Sequence, residues 1–326
     1  MGMIFLGNAG IVVSEFAGIA ASLELFGITK YISVPISVIF IWVLVVKGTY
    51  HKVEKVLLLM SGILLSYIVA AFLAKPDWGE VIHHMVIPDA IPIDPNFLLL
   101  SVALIGTTIA PFMQIYAQSA VVEKGITMSD FKYERIDTFI GTIFANLVAC
   151  FIIIATASTL FRSGIHIESA GDAAQALVPF AGNFSKLLFG VGLLGASLLA
   201  AAVVPLTTSF ALANAFGWES GVNRSLEEAP IFYAVFTFLI VMGATIVLSP
   251  AISLIKLLVG LQVVNGILLP AQLIFMMKLA NNPLVMGKYT NGKIFNTIMW
   301  VTIFVISSAA IAFIGFTFYN FIQRFI

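Results

Sequence analysis

The residues able to do chemistry in this sequence are few, and each sits in apolar surroundings. Thr107 and Thr108 stand in the segment Gly106-Thr107-Thr108-Ile109-Ala110-Pro111, near the middle of the largely apolar stretch from Ser101 to Gly125. Pro111 has no amide hydrogen, so a carbonyl one turn earlier loses its helical partner. Inside a bilayer a bare carbonyl costs several kcal/mol unless protein, water or an ion satisfies it. The break is therefore either a kink re-satisfied locally by the two threonine hydroxyls, or a place where something binds, as in the discontinuous helices of secondary transporters. Gln262 and Asn265 lie three apart and share one helical face, which suits hydrogen bonding between helices as well as ligation. Glu15 is a carboxyl in the middle of an apolar run; it faces a cavity, finds a partner or keeps its proton. Asn146 carries the same ambiguity as the other two amides. Lys256 is close enough to a span end to snorkel. His83 and His84 fall in a polar connection and read as solvent-exposed. HExxH, CxxC, GxSxG and phosphate-loop patterns do not occur, so no motif argues for an enzyme.

The elements that position these residues are membrane spans. Of 326 residues, 60% are hydrophobic and 10% are charged, a composition outside the range of soluble domains. The formal net charge is zero, which gives no electrostatic case for nucleic acid. The lone Cys150 excludes a disulfide framework. The first residues run straight into an apolar segment with no cleavage site. Nine spans are expected, at about 5–26, 31–46, 56–73, the broken span near 101–125, 138–160, 187–215, 231–248, 252–277 and 295–321. A polar, proline-rich loop is expected over 75–95. Gly190, Gly192, Gly195, Ala196 and the alanines 200–202 give the sixth span a small-residue face for close helix contact. With Met1 in the cytoplasm, inner connections hold basic residues over outer ones by roughly two to one, which sets a cytoplasmic amino end and an external carboxyl end.

Several motifs together resemble the Nramp family of divalent-metal transporters, from its third transmembrane helix to its eleventh. Ser14-Glu15-Phe16-Ala17-Gly18 is similar to the family's third helix. The segment Gly106–Pro111 stands where the family unwinds its sixth helix to bind metal. Asn146 matches an asparagine of the seventh helix. Leu261-Gln262-Val263-Val264 with Leu268-Leu269-Pro270 resembles the tenth. The resemblance implies an all-α membrane protein with an incomplete LeuT-type inverted-repeat fold, broken at 107–111. It implies one transporter domain over 1–326, with a partial first repeat to about 75, the outer loop, a second repeat over about 96–282 and an extra helix at about 293–323. The metal would lie beside Thr107, Thr108 and Ala110, facing Gln262, with Glu15, Asn146 and Asn265 along the pathway.

The departures from the family pattern bear on the cargo. The family's methionine before the helix-six proline is Ala110 here, and its following histidine is Phe112. The aspartate three residues before the glutamate is Val12, and the seventh span has no arginine. This pattern resembles the Nramp-related magnesium-transporter branch, in which proton coupling is absent. Thioethers favour softer metals, whereas oxygen donors suit Mg²⁺, Ca²⁺ and Mn²⁺, and Mg²⁺ keeps several waters. Magnesium or manganese is therefore the expected ion, with no cofactor beyond the transported cation. The chain is expected in the plasma membrane of a prokaryote. The family's first two helices, with their Asp-Pro-Gly-Asn ligand motif, have no counterpart here; Asp94-Pro95-Asn96 lacks the glycine and reads as a helix start. A separate upstream segment supplying those helices is the expected partner. Two other functions fit the residues: an amino-acid or organic-solute permease of the same architecture, and a membrane subunit that does not transport by itself.

Overall fold

The computed structural model describes residues 1–47, 59, 62–87, 95–123, 125–222, 224–250 and 253–323. Among them there is no strand. The helices are α1 (Gly2–Glu24), α2 (Lys30–Val46), α3 (Ser66–Leu73), α4 (Trp78–Val86), α5 (Pro95–Thr108), α6 (Pro111–Glu123), α7 (Phe131–Thr156), α8 (Ser185–Phe216), α9 (Pro230–Leu248), α10 (Leu254–Ala280) and α11 (Lys293–Gln323). Short helical turns join some of them, and a π turn at Ala157–Phe161 prolongs α7. Seven helical stretches among the described residues are long and apolar enough to cross a bilayer, and two shorter apolar ones, Lys30–Val46 and Gly62–Leu73, stand at the second and third expected spans. The first part of that third span, 56–61, lies outside the described residues apart from Leu59.

One of the connections differs from expectation. The stretch over 75–95 is not a plain loop, because it contains α4. Asp77 caps this helix, its carboxylate accepting from the Gly79 and Glu80 amides at 2.8 and 3.2 Å. Loop composition hid a short amphipathic helix. Residues 88–94 lie outside the described residues, and Pro95 opens α5 as the Asp-Pro-Asn start signal implies.

The centre of the bundle is α1. Its glycines and alanines let neighbours approach on every side, so Val12, Phe16, Ala17, Ile19 and Ala20 are fully buried. A Cβ on Gly18 would sit 2.3 Å from Ser197 Oγ of α8, and one on Gly243 of α9 would sit 2.9 Å from Val12 Cγ1. The main core joins α1, α2, α8 and α9, with Phe232, Phe236 and Ile240 fully buried. A second layer packs α5, α10 and α11 together. In contrast, most of the α7 surface is exposed.

The ends of the spans segregate. Glu24, Lys30, Glu168, Lys186 and the start of α10 surround one cleft of about 470 Å³. Lys30 Nζ donates to the Ser249 carbonyl at 2.8 Å, and Arg162 pairs with Glu80 at 3.7 Å. These residues belong to the connections that the basic-residue count assigns outward. Phe131 meets Tyr289 at the other end, with ring centroids 6.5 Å apart.

Candidate ion site

The broken span is discontinuous. α5 ends at Thr108, α6 begins at Pro111, and Ile109-Ala110 bridges them. The Ile109 amide still donates to the Ile105 carbonyl at 3.0 Å, and the Met113 amide donates to Ala110 at 3.2 Å. Pro111 has no N–H to offer the Thr107 carbonyl. The Thr108 hydroxyl does not fill that gap, because it donates to its own helix at the Leu104 carbonyl, 2.7 Å away. The side chains of Thr107 and Thr108 are exposed, whereas Ala110 is 3% exposed and packs into the main core.

What brings the break to α10 is a crossing of glycines. A Cβ on Gly106 would lie 2.2 Å from the Gln262 carbonyl oxygen and 2.4 Å from the Gly266 nitrogen. One on Gly266 would lie 2.3 Å from the Val102 carbonyl oxygen. Only glycine at both positions lets the two backbones approach this closely. The crossing sets Gln262 and Asn265 one turn from the break. Asn265 Nδ2 donates to Gln262 Oε1 at 3.2 Å, and Gln262 Nε2 reaches Ser14 Oγ of α1 at 3.4 Å. Asn265 is fully buried, yet its Oδ1 has no hydrogen-bond partner among the described residues. A buried amide oxygen without a donor costs about 1–3 kcal/mol, which a water or a cation would relieve.

Glu15 follows Ser14 on α1, one turn before Gly18, where Ser197 Oγ of α8 would lie 2.3 Å from an added Cβ. Ser14 thus links α1 to α10, and Ser197 stands on the α8 side of the Glu15 turn. Asn146 is placed apart from these groups, exposed on α7, with Nδ2 donating to the Thr142 carbonyl at 2.8 Å. Among the described residues no three His, Cys, Asp or Glu side chains come together as a metal group. The oxygens that the break and the α10 crossing offer are carbonyls, the Gln262 and Asn265 amides and the Ser14 hydroxyl, a set suited to hard cations that retain water.

Sequence reasoning passed over several polar residues. Asn8 is fully buried and donates to Thr208 Oγ1 of α8 at 2.8 Å, two turns from Glu15 on the same helix. That seven-residue spacing was the available signal. Gln272 of α10 hydrogen-bonds Gln114 of α6, which ties the second half of the broken span to the helix that crosses the first half. Asn281 and Asn296 exchange hydrogen bonds at 3.0 and 2.7 Å between α10 and α11.

A multi-pass helical membrane protein organised around a discontinuous span is what this fold and site define. The family described as natural resistance-associated macrophage protein-like, Nramp, matches residues 1–315. The chain belongs to that family, and so to a family of membrane transporters rather than enzymes, with the LeuT-like fold expected from the sequence. It is 28% identical to the divalent metal cation transporter MntH of Clostridium acetobutylicum over 267 residues, which cover 78% of this chain and 58% of that protein. MntH of Vibrio campbellii is 24% identical over 291 residues, covering 86% and 65%. MntH of Bacillus subtilis is 24% identical over 246 residues, covering 73% and 55%. The chain thus spans a little over half the length of several curated relatives it matches.

Proposed function

We propose that this chain forms the greater part of a transporter of divalent cations, with Mg²⁺ or Mn²⁺ as cargo, that works without proton coupling. The observation that carries the reading is the buried, unpartnered Asn265 Oδ1 on the helix that the Gly106–Gly266 crossing holds against the broken span. The relatives' name, divalent metal cation transporter, supports the choice of cargo class. Ala110 in place of a thioether supports a hard, hydrated ion. Thr107 and the break would supply carbonyl oxygens, and Gln262 and Asn265 amide oxygens. Thr108 and Asn146 bond to their own helices and would have to turn to take part.

Neutral oxygens and one carboxyl leave a dication under-neutralised. A second carboxylate, from a segment carrying the family's Asp-Pro-Gly-Asn motif, would complete the set, and that segment is the proposed partner. Proton coupling needs a series of titratable groups across the membrane. Glu15 has Val12 on one side and, across the interface, Ser197, neither of which titrates. The binding test is calorimetric titration of the purified protein with Mn²⁺ and Mg²⁺, with and without a co-expressed two-helix segment. The proposal expects tighter binding with the segment and weaker binding in Gln262→Leu. Identical titrations for parent and Gln262→Leu would remove Gln262 from the site.

A further inference from the structure

The feature left unused by the site is α4, Trp78–Val86. Its sequence, WGEVIHHMV, separates cleanly around a helix: Trp78, Val81, Ile82, Met85 and Val86 occupy one arc of about 140°, and Gly79, Glu80, His83 and His84 fill the rest. In a water-facing helix the apolar arc would turn into the protein. Here Ile82 is 61% exposed, Met85 66% and Val86 73%.

Two contacts orient the helix. On the apolar side, the Trp78 ring lies 4.9 Å from the Phe72 ring at the end of α3, and Phe72 in turn lies 5.5 Å from Phe151 of α7. Phe72 and Leu73 are themselves exposed on the outside of an apolar span, so the Trp78 side of α4 continues a lipid-facing surface. On the polar side, Glu80 pairs with Arg162 beyond the end of α7. That exposed pair adds little stability, but it directs the polar arc toward the hydrophilic end of the bundle. The turn between α3 and α4 permits the change of direction: Lys75 takes φ +50°, an uncommon left-handed conformation for a residue with a side chain, and Pro76 follows it.

We infer that α4 is a membrane-interface helix. Its apolar arc enters the boundary between headgroups and acyl chains, with Trp78 at headgroup level, and its polar arc stays in water. Tryptophan favours this layer, and amphipathic helices lie in it with one face buried by about 5–10 Å. The partner is the lipid bilayer around the same chain. The inference depends on the membrane architecture and not on which ion is carried.

The test uses nitroxide labels on single cysteines in a Cys150→Ser background, reconstituted in phosphatidylcholine vesicles. Ile82→Cys and Met85→Cys report the apolar arc, and His83→Cys the polar arc. The expected result is an oxygen-to-nickel-chelate accessibility ratio several-fold higher at 82 and 85 than at 83. Equal ratios at all three positions would overturn the inference. So would labels at 82 and 85 shielded from both oxygen and chelate, because then protein, either a further segment or a second copy, covers the arc. Because the labels read α4 directly, a protein inactive in transport still decides the question.

Discussion

Adding one methyl group at Gly106 tests whether the crossing with α10 builds the site. The new Cβ would meet the Gln262 carbonyl oxygen at 2.2 Å, the Gly266 nitrogen at 2.4 Å and the Gly266 Cα at 2.9 Å. All three are backbone atoms, so no rotamer change relieves the clash. Ordinary contact begins near 3.4 Å, so the helices must separate by about 1.2 Å. Overpacking of this kind costs about 1–3 kcal/mol. Helix propensity acts the other way, since alanine is favoured over glycine by about 1 kcal/mol. A net loss of up to about 2 kcal/mol is expected for Gly106→Ala, seen as a fall of up to a few degrees in the detergent melting temperature. The same displacement would carry Gln262 and Asn265 away from the break, so Mn²⁺ titration should show weakened binding. Gly260→Ala is the control: it lies on α10, the other helix of the crossing, with no atom within 4 Å of the added Cβ, and should not lower stability. If Gly106→Ala melts and binds metal like the parent, the glycine crossing does not position the site.

Three further outcomes follow from the same geometry. Asn265→Leu removes a buried oxygen that has no donor but also the Nδ2 donor to Gln262 Oε1, two effects of opposite sign, so the melting temperature should change little while Mn²⁺ affinity falls about tenfold, the weight of one hydrogen bond or ligand contact to a charged group. Ala110→Met should move the preference from Mg²⁺ toward Mn²⁺ and Cd²⁺ in competition binding; an unchanged ion ranking would count against the softness argument. Val12→Asp, which restores the family's carboxylate alone, puts it at a fully buried position against Gly243 with no arginine on α9, and should cost several kcal/mol, read as loss of the monodisperse peak in size-exclusion chromatography.

Much of this architecture was legible because lipid imposes one rule on the backbone: every polar group is satisfied within a helix. Apolar run lengths therefore located α1, α2 and α7 to α11, and Pro111 marked the break within two residues. The α4 helix escaped because nine residues with two histidines and a glutamate read as a loop by composition, although their helical period was there to be counted. At the site, the Gln262–Asn265 pair was legible from spacing alone. The Gly106–Gly266 crossing was not, since a glycine in a span is equally at home on an open face, as Gly141 and Gly260 are here with nothing within 4 Å. Nor does sequence say which way a hydroxyl turns. Thr108 and Asn146 bond back to their own helices, whereas Asn8 reaches across to Thr208 of α8.

The central claim is uncoupled transport of a divalent cation at the break, and proteoliposomes carrying both a metal-sensitive and a pH-sensitive dye test it most directly. The protein would be reconstituted alone and with a two-helix segment bearing Asp-Pro-Gly-Asn, under a metal gradient and a potassium-set voltage. The voltage adds about 2.3 kcal/mol per elementary charge for each 100 mV, enough to drive a dication without protons. The account predicts Mn²⁺ or Mg²⁺ entry in the completed assembly, a flat pH trace, and loss of entry in Gln262→Leu. Entry accompanied by proportional lumen acidification that disappears in Glu15→Gln would contradict it.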